Sequence, residues 1–166
     1  MRCTRSRRTF LVGTCTAGMV ALAGCLGGDG TDTTEWEVDE TLPVETAVQY
    51  NSPNCDCCEV YATYLDAHLD ADLTVREPED IVETKRDLGV PAALDSCHTT
   101  ELGGYVVEGH VPVEAILRLL DDRPKIAGIA LPEMPAGSPG MPGEKEESWT
   151  VYGFESVDQY EPFLEL

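Results

Sequence analysis

An α/β domain, with a mixed sheet flanked by helices, is the fold class this chain predicts. Three observations carry it. Strand-like runs alternate with helical stripes between Glu45 and Leu120. Glycine, proline and asparagine punctuate the joins between them. A cysteine triplet, Cys55-Asp56-Cys57-Cys58, stands where the first strand gives way to the first helix. The domain spans residues 40–166, within the usual range for a single unit, and has no internal repeat.

The elements follow in order. Glu45-Thr46-Ala47-Val48-Gln49-Tyr50 alternates and meets Asn51-Ser52-Pro53-Asn54, so it reads as a strand closed by a turn. Counted from Cys58, the apolar residues Tyr61, Ala62, Leu65 and Leu69 share one helical face. Asp72-Leu73-Thr74-Val75-Arg76 is a short second strand. Pro78-Glu79-Asp80 opens a second helix, because proline and acids suit a first turn. Leu88-Gly89 ends it, with Val90-Pro91 beyond. Ser96-Cys97-His98-Thr99-Thr100 leads to Gly103-Gly104 and Tyr105-Val106-Val107-Glu108, a hairpin with a Gly-Gly turn. After Pro112, the positions Val113, Ile116, Leu117 and Leu120 form another helical stripe.

The order β-α-β-α-β-β-α resembles a thioredoxin-like layout, in which a CxxC-type motif opens the first helix. Leu131 to Gly143 holds too much proline and glycine for regular structure and is too apolar for a solvated linker. It is expected to wrap over the domain as an irregular Pro/Gly/Met-rich C-terminal extension. Trp149-Thr150-Val151-Tyr152-Gly153-Phe154 reads as a final strand.

Residues 1–24 read as an address. Ser6-Arg7-Arg8-Thr9-Phe10-Leu11 resembles a twin-arginine signal. The uncharged run from Leu11 to Gly24 is short for a membrane span, which needs about 20 predominantly apolar residues. Leu22-Ala23-Gly24-Cys25 resembles a lipobox, where cleavage precedes the cysteine and its thiol takes a lipid. An uncleaved anchor is the alternative, and either one tethers the domain to the outer face of the cell membrane. Residues 25–39 are rich in Gly, Thr and Asp and read as a flexible linker.

The net charge is −20, from 11 basic and 31 acidic side chains. Loss of the signal removes Arg2, Arg5, Arg7 and Arg8 and no acid, so the mature charge is more negative still. No basic patch is available to neutralise phosphates, which excludes a nucleic-acid partner. Acids spread along the whole chain suit a halophilic prokaryote, an archaeon by preference, since high salt screens such self-repulsion.

Four of the seven cysteines remain in the domain: Cys55, Cys57, Cys58 and Cys97. Two structural disulfides are one reading, but Cys57 and Cys58 are adjacent, and only Cys55 and Cys58 have a familiar spacing. Thiolate is a soft ligand suited to Cu(I), Zn and Fe–S centres. The positive end of a helix also favours thiolate over thiol. Cys97, His98 and His110 lie on predicted turns or element ends where they can join the triplet. Several soft ions bridged by sulfur, or one structural zinc of Cys₃His type, are the metal readings.

Each donor has a plainer reading as well. Cys97 can be a buried small hydrophobe, and strand alternation can turn His98 away from it. His110 can be a turn histidine, and Met134 and Met141 can be gap-fillers rather than weak thioether ligands. His68, far along the first helix, reads as structural or exposed. Asp56 and Glu59 read as first-turn acids favoured by the helix dipole.

Tyr50-Asn51-Ser52-Pro53-Asn54-Cys55-Asp56-Cys57-Cys58 resembles the opening of an exported metal-binding (CxCC) family, the CopG-type proteins of copper-resistance loci, formerly a domain of unknown function. Leu88-Gly89-Val90-Pro91, Ser96-Cys97-His98-Thr99, Gly104-Tyr105, Glu108-Gly109-His110-Val111-Pro112 and Met134 to Met141 match its later blocks in order. The chain departs from the family in its lipobox, its acidity, and Asp56 where glycine is common. The resemblance implies a thioredoxin-like fold and copper handling outside the cytoplasm. It implies Cys55, Cys57, Cys58 and Cys97 as thiolate ligands, with His98 or His110 as partners.

The expected function is a lipid-anchored copper-binding protein that sequesters Cu(I) or passes it to other copper-handling proteins, without turnover of an organic substrate. A thiol oxidoreductase using Cys55 and Cys58, and a structural zinc interaction module, are the alternatives.

Overall fold

The computed structural model describes residues 41–166. The signal segment 1–24, the lipobox cysteine Cys25 and the linker 25–39 lie outside the described residues. Among the described residues, no helix is long and apolar enough to cross a membrane.

The elements are β1 (Ala47–Asn51), α1 (Asp56–Asp66), β2 (Leu73–Arg76), α2 (Ile81–Asp87), a 3-10 turn (Ala92–Leu94), β3 (His98–Leu102), β4 (Tyr105–Glu108), α3 (Val113–Asp122), β5 (Gly128–Ala130), β6 (Thr150–Ser156) and β7 (Gln159–Glu165). They build one mixed sheet in the order β2-β1-β3-β4-β5-β6-β7. β1 and β2 are parallel across α1, and β4 and β5 are parallel across α3. The other neighbours are antiparallel. The expected mixed sheet flanked by helices is therefore present.

Strand alternation divides the core. Ala47, Leu102, Val107, Ile129 and Val151 pack with Tyr61, Tyr64 and Leu65 of α1 and with Val113, Ile116 and Leu119 of α3. On the other face, Val106, Ala130 and Phe154 pack with Val90 and Leu94 from the segment after α2. Both sheet faces are covered, the arrangement that lets parallel pairs persist.

Local chemistry accounts for the boundaries. The Asp80 carboxylate caps α2 by accepting the Glu83 N–H at 2.9 Å. Gly103 and Gly104 have φ of +59° and +88°, so both central residues of the β3–β4 turn are left-handed, as a type I′ hairpin requires. α1 starts at Asp56, two residues before the Cys58 from which its stripe is counted, with Cys55 as its N-cap. It also stops before Leu69: the Asp66 carboxylate accepts the Leu73 N–H at 3.2 Å as the chain turns into β2. Leu69 instead bridges Leu42 and packs against the core.

Beyond α3 the sheet is larger than one final strand. β5 is three residues long, too short for any periodicity to show. β7 contains Pro162 and is largely exposed, so it lacks a clean alternation; a proline is tolerated there because β7 is an edge strand. The residues between β5 and β6 wrap over the domain as irregular chain, as expected, with Ser138, Pro139 and Gly140 buried.

The two turn glycines separate strain from crowding. A Cβ on Gly104 meets nothing within 4 Å, whereas one on Gly103 meets Leu120 at 2.9 Å and Val44 at 3.0 Å. Gly104→Ala should lower the unfolding free energy by about 1–2 kcal/mol, the cost of a left-handed L-residue. Gly103→Ala should cost about 1–3 kcal/mol more, from overpacking. Urea unfolding of the two variants checks the order.

Candidate metal centre

The sheet topology converges three chain segments. β3 runs antiparallel between β1 and β4, so the end of β1, the start of β3 and the end of β4 share one end of the sheet. Asn51 faces His98, and Thr99 faces Glu108. The residues around these ends are Cys55, Cys57 and Cys58 after β1, Cys97 and His98 at the start of β3, and His110 after β4.

Hydrogen bonds fix the segments to one another. Ser52 donates its N–H (3.1 Å) and its hydroxyl (2.6 Å) to the Cys97 carbonyl. The buried Gln49 amide donates to the Cys58 carbonyl at 2.9 Å and to Asn51 Oδ1 at 2.7 Å. The first turn of α1 is thus tied to β1, and the turn before it to the Cys97 arm.

The predicted donors meet. Cys55 and Cys58 form a disulfide, while Cys57 and Cys97 are free thiols. The two-bridge reading does not hold, and the pair with CxxC spacing is the one that forms. Cys57 Sγ lies 3.5 Å from Cys55 Sγ and 3.8 Å from Cys97 Sγ. Cys97 Sγ lies 3.3 Å from His98 Nδ1 and 3.1 Å from His110 Nε2. Two donor groups result, Cys55-Cys57-Cys58-Cys97 and Cys97-His98-His110, each with ligand atoms within 4.8 Å of one another. Strand alternation does not separate His98 from Cys97, because Cys97 precedes β3 rather than lying in it.

His110 is fully buried, not a solvent-facing turn residue. Its Nδ1 donates to the Pro139 carbonyl at 2.7 Å. In the neutral ring that leaves Nε2 with its lone pair directed at Cys97 Sγ, the usual way an outer contact sets a ligand tautomer. Gly140 lets this loop approach: a Cβ there would lie 3.0 Å from the Tyr61 nitrogen, 3.2 Å from the Cys57 carbonyl and 3.3 Å from His110 Nδ1. Met134 and Met141, near the ends of the same loop, are half-buried. His68 has a structural place, its Nδ1 donating to the Tyr64 carbonyl at 2.7 Å. Asp56 and Glu59 sit in the first turn of α1, as expected.

Some contributors were not legible in the sequence. Tyr61 packs against both imidazoles, its ring centroid 4.4 Å from that of His98 and 5.4 Å from that of His110, while the two imidazoles are 4.8 Å apart. Its hydroxyl donates to the Val111 carbonyl at 2.8 Å. Its helical phase, one turn beyond Cys58, predicts only that it is core. Lys85 and Glu108 are also buried; Lys85 gave no signal beyond its charge, and Glu108 only its place in a family block.

His98 and His110 are fully buried and Cys97 is half-buried, and this sets their protonation. Burial first, then the neighbouring Cys57 sulfur, pushes the Cys97 thiol up to about 12. Burial, with His110 and Lys85 adding to it, holds His98 well below the usual histidine range; burial also lowers His110. The metal-free pocket thus holds a neutral thiol and two neutral imidazoles at pH 7. Below pH 6.5 the unfolded chain binds protons that these folded imidazoles refuse, so stability falls as the pH drops. Metal-free protein should lose about 1 kcal/mol per pH unit for each such histidine below that point. Urea unfolding at pH 6.5 and 5.5 checks this, with a smaller loss expected in His98→Asn.

Comparison with known proteins agrees with this geometry. A family model described as a protein of unknown function, DUF411, matches residues 94–141. Two solved structures of a copper resistance protein, copG, in form 2 and form 1, are 35% and 34% identical to this chain, with TM-scores of 0.66 and 0.65. They cover 75% and 74% of this chain and 99% and 98% of their own. No curated protein sequence matches. The identity and coverage, with the cysteine cluster in place, put this chain in the CopG-type copper-resistance family.

Proposed function

We propose that this protein sequesters or transfers Cu(I) outside the cytoplasm, exported by the twin-arginine route and held at the membrane by a lipid on Cys25. The observation that carries the reading is the position of the Cys97 sulfur, which belongs to both donor groups. A thiolate shared in this way can bridge two metal ions, and thiolate with imidazole suits Cu(I). Cys55, Cys57, Cys58 and Cys97 supply the sulfurs, and His98 and His110 supply nitrogens. Met134 and Met141 are weak thioether sites along the covering loop. The solved relatives are named for copper resistance, which supports the same metal.

Loading has two chemical requirements. The Cys55–Cys58 disulfide must first be reduced by an external dithiol, which gives it two electrons and two protons and is itself left as a disulfide. The thiols, Cys97 included, must then give up their protons to the solvent as the metal binds. Transfer proceeds by exchange of thiolates between this cluster and a partner that handles copper. The same disulfide, at the start of α1, is what favours the oxidoreductase reading as a second possibility.

Anaerobic titration of reduced protein with Cu(I), followed by elemental analysis, should find more than one copper per chain. Protein left with the Cys55–Cys58 bridge intact should take up less, and Cys97→Ser should lower the stoichiometry. One zinc and no copper per chain would overturn the reading. Insulin reduction that disappears in Cys55→Ser would favour the oxidoreductase.

A further inference from the structure

We propose that the buried pair Glu108 and Lys85 positions the Cys97 sulfur, an inference that rests on the Cys97-centred site above. Glu108 is fully buried and Lys85 is 5% exposed. Most of their contacts go to the chain on the N-terminal side of Cys97. Glu108 Oε1 accepts the Ser96 N–H at 2.7 Å and a Lys85 N–H at 2.6 Å. Lys85 Nζ also donates to the Ser96 carbonyl at 2.5 Å and to Asp95 Oδ1 at 2.6 Å. Glu108 Oε2 accepts the Thr99 hydroxyl, which fixes the carboxylate against β3.

Ser96 is therefore gripped at both its N–H and its carbonyl, one residue before the sulfur that joins the two donor groups. On the other side, Ser52 holds the Cys97 carbonyl. The Cα of Cys97 lies between two anchored peptide units, and its sulfur is aimed by both.

Fold stability alone is a poor reason for this pair. Two charges taken out of water gain little over well-packed apolar groups of the same size. The hydrogen bonds are spent on the backbone of a loop that has no strand partner before His98. Outer contacts of this kind commonly change metal affinity by about 10–100-fold.

The test reads the sulfur with and without metal. Protein carrying the Cys55–Cys58 bridge is treated with diamide, which oxidises the Cys57 and Cys97 thiols, 3.8 Å apart, to a disulfide as diamide takes up their two hydrogens. Mass spectrometry follows the rate. Glu108→Gln should slow the cross-link about ten-fold, since a reaction between two held groups loses rate steeply when one of them is displaced by a fraction of an ångström. Lys85→Met combined with Glu108→Leu removes both charges together and should give the same loss, which keeps the test readable if the single variant does not fold.

Competition against a chromophoric Cu(I) chelator should show about a ten-fold loss of affinity in Glu108→Gln that disappears in a Cys97→Ser background. Parental cross-linking rates in both folded variants would overturn the proposal. So would an equal affinity loss with and without Cys97. If the reduced parent takes up no copper, the copper reading fails, and the cross-linking rates still decide the positioning role.

Discussion

The antiparallel placement of β3 between β1 and β4 is the constraint from which the rest follows. Strand direction alone decides which ends meet. With β3 reversed against both neighbours, the exit of β1, the entry of β3 and the exit of β4 crowd one end of the sheet. Three stretches far apart in the chain then lie within hydrogen-bonding reach. The Gly103-Gly104 turn secures half of this, since its two left-handed residues match the twist of the β3–β4 pair. The parallel β1–β2 pair secures the other half, because its crossover places the start of α1 directly after β1.

Burial gives the convergence its chemistry. In bulk water a thiol and two imidazoles would titrate near their ordinary values. Here the closing loop and the rings of Tyr61 and the histidines bury the imidazoles fully and the Cys97 thiol in part, so each of these groups is held in its neutral form. A neutral pocket accepts a soft cation by losing thiol protons, which couples metal uptake to proton release. The contrast with the rest of the chain is sharp: it carries 31 acids, whereas Cys97, His98 and His110 are held uncharged before metal binds.

The Pro/Gly-rich loop belongs to the site as much as the cysteines do. Its prolines forbid strand pairing, and its glycine at 140 removes the one side chain that would hold it off the Tyr61 and Cys57 backbone. The result is a carbonyl, that of Pro139, delivered to His110 Nδ1. An irregular segment thereby performs a task usually given to a strand or helix: it selects a tautomer.

Periodicity and turn chemistry made the seven strands and α-helices from β1 to α3 legible, because each obeys a local rule that needs no neighbour. The Pro78–Asp80 opening, the Gly-Gly hairpin and the helical stripe after Pro112 are read from residues within one or two turns of chain. The donor types were legible for the same reason, since softness belongs to sulfur wherever it lies. β5 and β7 were not, one being too short and the other an exposed edge held only by pairing with β6. Nor was the choice between a buried and an exposed His110, the stacking of Tyr61, or the pairing of Lys85 with Glu108. Those depend on which distant residues a side chain meets. Sequence alone determined which soft donor groups this protein carries, whereas tertiary structure decided that they face one another, because only strand pairing and burial set the distances and the dielectric between them.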